Sequence, residues 1–254
     1  MVAVQPPPAE PPISILMYHQ VGPFASPSSH RAGYCHVRRF AVQMAYLKRL
    51  GYAVIPLDDA VAGLFDGAPL PRRAVVLTFD DGYQNFAEHA APILRRHGFP
   101  ATVFLVAERI GQAAEWLGDG QVKAALMDAE TIRGLSAQGV TFGSHTLTHP
   151  RLSRLDAAAQ RREIQDSRSR LEDTLGLAVT HFCYPYGDYD ERSRDMVADA
   201  GYLSGLTCIR GAGNRADNRW EIPRKAISYG DSLAGYVWKL HMKHERKDRV
   251  RTHS

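Results

Sequence analysis

"AVVLTFDDG", Ala74–Gly82, is the stretch that decides the fold. Five of its first six residues are apolar, without the polar alternation of a half-exposed strand. A strand that is apolar on both faces is covered on both faces, which is the habit of parallel sheets flanked by helices. The run then stops on two adjacent carboxylates and a glycine. Side chains alternate faces along a strand, so Asp80 and Asp81 can serve one site only where the chain turns. Gly82 supplies the freedom for that turn. A solvated Asp-Gly turn is the plain alternative.

Working outward, "ATVFLVA" at 101–107 reads the same way, and further strand-like runs lie near 13–19, 52–57, 140–146, 180–186, 202–208 and 221–228. Helical patterns lie between most of them. Phe40, Met44, Leu47 and Leu50 recur at three- and four-residue steps before Gly51. Residues 83–97 read as a helix ending at Gly98, with a kink or break at Pro92. Asp128 reads as the N-cap of a helix ending at Gly139, and 156–175 as a long helix closed by Gly176. Alternation of this kind predicts an α/β fold, with a parallel sheet and right-handed crossovers. Seven or eight such units favour closure into a (β/α) barrel whose functional groups gather at the C-terminal strand ends.

The 254 residues read as one domain: a disordered proline-rich leader over 1–12, a barrel over 13–240 and a basic tail over 241–254. Hydrophobic content of 44% with 23% charged residues is that of an ordinary globular enzyme. The net charge of +4 is too weak to argue for nucleic acid. No run approaches the ~20 apolar residues of a membrane span, although the basic tail offers peripheral contact with anionic lipid. The chain as written lacks the charged start and apolar stretch of a secretory signal, so the expectation is cytoplasmic, or extracytoplasmic if a leader was removed. Cys35, Cys183 and Cys208 have no zinc-like spacing and read as free thiols. Oligomeric state is not legible.

Two more stretches carry chemistry. In "FGSHTLTHPRLS", His145 and His149 stand four apart after an apolar strand, a spacing that puts two imidazoles on one side of a helical turn. Two histidines and one carboxylate make a three-ligand set for a catalytic zinc. In "HFCYPYGDYD" a strand breaks at Pro185, and backbone N–H groups of such a turn can serve as an oxyanion hole. Finally "ISILMYHQVGP", Ile13–Pro23, is a buried strand delivering His19 at its far end.

"TFDDG", "SHTLTHP" and "YPYGDYD", in this order, resemble the motifs of the polysaccharide deacetylase superfamily, the carbohydrate esterases related to chitooligosaccharide deacetylase. "ILMYHQV", "YLKRLGYAVIPLDD" and "EIPRKAIS" are similar to its poly-N-acetylglucosamine deacetylase subgroup, so the resemblance covers roughly 13–230. It implies a distorted seven- or eight-unit (β/α) barrel with a circularly permuted motif order. It also implies a divalent metal, zinc by default with cobalt, nickel or iron tolerated, bound by Asp81, His145 and His149. Asp80 then matches the general base and the Tyr186 backbone N–H the oxyanion donor. His19 becomes the general acid, with His241 of "KLHMKH" the alternative. Arg224 is a candidate for orienting Asp80 in place of an arginine that many relatives carry before the third motif's proline, with a surface arginine as the alternative. Asp188 and Tyr189 are candidates for lining a sugar site, and Trp116 either stacks on a sugar or anchors the core. The implied activity is removal of N-acetyl groups from an N-acetylglucosamine-containing glycan or its precursor. The competing readings are hydrolysis of a small cyclic imide or ureide at the same site, and glycan binding by an inactive relative.

Overall fold

The computed structural model describes residues 12–27, 30–118 and 123–247. Most of the expected leader (1–11) and the end of the basic tail (248–254) lie outside the described residues. Among the described residues ten strands follow in chain order: β1 Ser14–Tyr18, β2 Gln20–Gly22, β3 Tyr34–His36, β4 Ala53–Val54, β5 Ala74–Phe79, β6 Ala101–Leu105, β7 Val140–Ser144, β8 His181–Cys183, β9 Ser204–Arg210 and β10 Ile222–Ala226. Seven of them close a parallel barrel in the order β1-β10-β9-β8-β7-β6-β5, with β1 also pairing to β5. β4 pairs with the first two residues of β5, while β6 pairs with its last two. Every ladder of the barrel is parallel, so all seven strands end on one rim.

The apolar runs divide as the two-residue repeat requires. On β5, Val75, Leu77 and Phe79 join the outer core beneath the helices, whereas Ala74 and Val76 face the barrel interior with Ile15, Phe104, Leu206 and Ile222. The interior cluster also takes Leu57, Ala60 and Val61 of helix α2, Leu57–Phe65. Those residues meet Ile13 and Ala74, so α2 plugs the N-terminal end of the barrel. The site is thereby confined to the opposite rim.

The helices follow the sequence signals with informative departures. In α1, Val37–Arg49, Phe40, Met44 and Leu47 are buried, but Leu50 falls past the helix end and is exposed. The segment before Gly98 breaks as Pro92 requires: a π-turn over Phe86–Ala90 precedes α3, Ala91–His97, with the proline in its first turn. Asp128 caps α4, Ala129–Ser136, by accepting from Thr131 N at 2.8 Å. The long helix is α5, Ala157–Arg161, and α6, Ser167–Leu175, joined through a π-turn over Arg162–Asp166 and closed by left-handed Gly176. After α7, Glu191–Asp199, helix α8, Leu233–Met242, buries Tyr236 and Leu240, so packed structure runs past residue 240 among the described residues. Ala212 N donates to His244 O and Lys247 N to Arg210 O, tying 243–247 to the barrel. Among the described residues no helix is long and apolar enough to cross a membrane.

Candidate active site

The β5 alternation that sends Ala74, Val76 and Thr78 inward also sends Asp80 inward, and its N–H still bonds Tyr18 O at 2.9 Å. Arg224, on β10, meets it with two parallel bonds, Nη1 to Oδ1 and Nη2 to Oδ2, both 2.7 Å. The guanidinium is fully engaged: Nη1 also donates to Thr78 Oγ1, Nε to Thr207 O and Nη2 to Cys183 Sγ. Both residues are buried. Burial alone would push the Asp80 carboxyl up, but the Arg224 charge and hydrogen bonds outweigh it and hold the group below the usual carboxylate range. So Asp80 stands ionised, with its orientation fixed by a bidentate partner. Arg224 is therefore buried against Asp80 and not a surface arginine.

Continued extension would turn Asp81 out of the barrel. Instead Asp81 adopts φ 75° and Gly82 φ 74°, two successive left-handed residues that fold the Asp81 carboxylate back onto the rim. A side chain at Gly82 would also strike Leu105 Cδ2 at 2.7 Å. Asp81 Oδ1 then lies 3.3 Å from both His145 Nε2 and His149 Nε2. The histidine pair reaches this point by a different route from the helical turn that its spacing predicts. It sits on a loop after β7, with Thr146 at φ 70° and His149 at φ 69°, so the i, i+4 relation is made by left-handed turns.

The donor set fits a divalent cation. Asp81 Oδ1 is buried with no hydrogen-bond partner among the described residues. His145 Nδ1 lies 2.7 Å from Cys183 O, which can only accept, so that nitrogen carries the proton and Nε2 presents a lone pair. Burial, opposed by the Asp81 carboxylate, lowers the His149 pKa and favours its neutral, ligating form. The three ligand atoms all lie within 4.8 Å of one another. One carboxylate and two imidazoles make the expected three-donor face.

Around them opens a cleft of about 340 Å³, lined among others by His19, His30, Tyr34, Tyr83, Trp116 and Tyr186. His19 Nε2 is 4.0 Å from Asp80 Oδ2. Tyr186 is left-handed at φ 60°, its ring edge-on to His149 and half exposed. The next N–H groups of that turn are used within it, Gly187 N to Tyr184 O and Asp188 N to Pro185 O. Trp116 stacks on His149 at 4.3 Å while packing against the Tyr83–Ala114–Leu126 cluster, so it is both wall and anchor.

Asp188 and Tyr189 are not among the residues lining the cleft. Asp188 accepts from Ser153 N and Oγ, pinning the loop after the third motif, and Tyr189 Oη donates to Glu221 Oε2 while its ring stacks on Tyr184. Their partners lie 35 and 32 residues away in sequence, so adjacency to the motif misplaced them. His241 bonds Tyr52 Oη at 2.8 Å, just before β4 and therefore at the N-terminal end of the barrel, opposite the cleft. Cys183 is buried and its thiol pushed up by that burial, a packing group rather than a nucleophile. His30, Tyr34 and Tyr83 line the cleft without a sequence signal that places them there. The first two belong to a loop without a motif, and Tyr83 reads as an ordinary core aromatic.

The comparisons with known proteins agree with this geometry. YxkH of Bacillus subtilis (strain 168), whose name places it among the polysaccharide deacetylases, is 28% identical over 224 residues, 88% of this chain and 74% of its own length. The poly-β-1,6-N-acetyl-D-glucosamine N-deacetylase of Escherichia coli (strain K12) is 28% identical over 78% of this chain, a match that spans 34% of that longer protein. Among solved structures, the Streptococcus pyogenes deacetylase PplD shares the fold with a TM-score of 0.78 at 23% identity, covering 91% of this chain and 98% of that one. IcaB from Ammonifex degensii does so at 0.73 and 24%, covering 91% and 97%. The family model described as polysaccharide deacetylase matches residues 67–205, more than half of the chain, from before the paired aspartates to past the third motif. The chain belongs to the polysaccharide deacetylase family, hydrolases of carbon–nitrogen bonds.

Proposed function

We propose that the chain removes N-acetyl groups from an N-acetylglucosamine-containing glycan or its precursor, using a divalent metal, with zinc as the default, held by Asp81, His145 and His149. The observation that carries this reading is the convergence of one unpartnered buried carboxylate oxygen and two imidazole Nε2 atoms, 3.3 Å from each, beside a second carboxylate locked by arginine. A metal bound there supplies Lewis acidity, activating water and polarising the acetamide carbonyl.

The residues divide the remaining work. Asp80, kept ionised by Arg224, accepts a proton from the water that attacks the carbonyl carbon. The Tyr186 N–H donates to the oxygen on which negative charge develops. The carbon–nitrogen bond then breaks, acetate departs, and His19 delivers a proton to the amine, a poor leaving group without it. His19 suits this role because β1 ends on the catalytic rim between β10 and β5, close to Asp80. That placement accords with a permuted motif order, in which the first strand stands where other relatives use a late one. The poly-β-1,6-N-acetyl-D-glucosamine deacetylases among the relatives favour a glycan over a cyclic imide.

Acetate release from β-linked N-acetylglucosamine oligomers is the deciding assay. Chelated protein is expected to be silent and to recover on zinc addition. One zinc bound per chain with no release from any oligomer would move the substrate to lipid-linked precursors or cyclic imides. Replacing His19 by Ala is expected to cut turnover by about 10²-fold or more, and His241→Ala to leave it unchanged. An active His19→Ala enzyme would remove His19 from the acid role.

A further inference from the structure

The loop that carries both histidines is conformationally expensive. Thr146 and His149 are left-handed without being glycine, so the surrounding structure must over-determine the loop. The two rings are also held differently. His145 is fixed through its second nitrogen by Cys183 O, whereas His149 Nδ1 has no hydrogen-bond partner among the described residues. Trp116 and Tyr186 pack against the His149 ring but do not tether its nitrogen. Its aim at Asp81 therefore depends on the backbone that presents it.

Thr146 Oγ1 accepts from His149 N at 3.0 Å, and Thr146 O and Leu147 O accept from Ala107 N and Glu108 N, but the N–H groups at the middle of the loop go to one carboxylate. Glu163 Oε2 accepts from Leu147 N at 2.9 Å and Thr148 N at 3.0 Å, and Oε1 accepts from Thr148 Oγ1 at 2.7 Å. Glu163 is buried and lies in the π-turn Arg162–Asp166, where an extra residue per turn re-aims side chains relative to a continuous α-helix. The helical turn that follows touches the front of the same loop. Ser167 Oγ bonds Ser144 Oγ at 2.7 Å, and Ser144 Oγ accepts from Thr146 N at 3.3 Å.

We propose that Glu163 is a positioning residue for the metal site: its three hydrogen bonds to Leu147 and Thr148 hold the histidine loop in its left-handed form and thereby set metal affinity. The inference rests on reading Asp81, His145 and His149 as the metal ligands. Glu163 touches none of the three, so its effect travels through the loop backbone. Removing it leaves two N–H groups without their acceptor and lets the loop relax toward ordinary backbone angles, turning His149 away.

The test is zinc affinity of the apoprotein by competition with a chromophoric chelator, with the absorption spectrum of the cobalt-loaded protein as a report on coordination geometry. Glu163→Ala is expected to weaken zinc by about 10- to 100-fold and to change the cobalt bands, while Glu163→Gln, which keeps one acceptor oxygen, falls between it and wild type. A merely structural role would lower the melting temperature of the apoprotein and leave both metal readouts alone, and that result overturns the proposal. Should Glu163→Ala not fold, Glu163→Gln decides by itself: wild-type zinc affinity with a wild-type cobalt spectrum rejects the inference. A wild-type protein that binds neither zinc nor cobalt would reject the metal reading first, and this inference with it.

Discussion

Arg224 and Lys225 are neighbours on β10, each about 1% exposed, yet they meet opposite electrostatic fates. Arg224 points into the barrel and is neutralised by Asp80 through two 2.7 Å bonds. Lys225 points out beneath α8, where Nζ contacts Ser14 Oγ at 2.9 Å, Leu240 O at 3.1 Å and His244 Nδ1 at 3.1 Å, all of them uncharged acceptors. One buried cation is paired, and with it the Asp80 carboxylate is kept ionised. The other is only solvated by the protein, and its pKa is pushed down by burial to about 7. Burial of a charge thus says little until its partner is known, and the partner here is what separates a site from a staple.

The largest effect is expected at the carboxylate: Asp80→Asn should cut turnover by about 10²- to 10⁴-fold while one zinc per chain stays bound. Metal analysis beside the acetate assay checks this, and retained turnover would remove Asp80 from the base role. Next, Arg224→Met leaves Asp80 buried and unpaired, costing about 3–5 kcal/mol of stability, read by urea unfolding. It should also move the acidic limb of kcat/KM to higher pH. A carboxyl held low is ionised at neutral pH and is lost as pH falls through its pKa; without the arginine, burial acts unopposed and the loss begins earlier.

The smallest expected effect on turnover sharpens the contrast from the other side. With its folded pKa near 7 and its ordinary value at 10.5, Lys225 binds fewer protons folded than unfolded between those limits. Stability should therefore rise with pH across that window, and Lys225→Met should flatten the rise while leaving kcat unchanged. A pH slope identical in both proteins would show that Lys225 stays charged.

What could be read from the sequence follows from how far apart the chemistry lies. Asp80-Asp81 and His145-x-x-x-His149 are local, and a strand that stops on them announces a rim. The barrel was legible for the same reason, since runs such as Ala74–Phe79 carry their two-sided burial in their composition. Arg224 was readable only as a cation near a strand, because its partner is 144 residues away. The left-handed turns at Asp81, Thr146 and His149 were not readable at all: neither Thr nor His advertises a positive φ, and the four-residue spacing suggested a helix instead. The grip of Glu163 on the loop hides in the same way, inside a segment that reads as an unbroken amphipathic helix.

Closure of the barrel through β1 has a consequence for how the protein is made. Synthesis runs from the N-terminus, so β1 emerges early and can pair with β5 after about 60 residues, but its other neighbour is β10, with Met17 against Ala226. At about 5–20 residues per second, roughly 10–40 s pass between the two halves of that ladder. For that interval the strand bearing His19 presents an open edge, and the slowest, most non-local contact of the fold is the one that completes the ring. Crowded expression or a stalled ribosome would strand the chain in this state, where an unpaired apolar strand invites pairing with another nascent copy. Yield of soluble protein should therefore respond to translation speed in the second half of the message more than in the first.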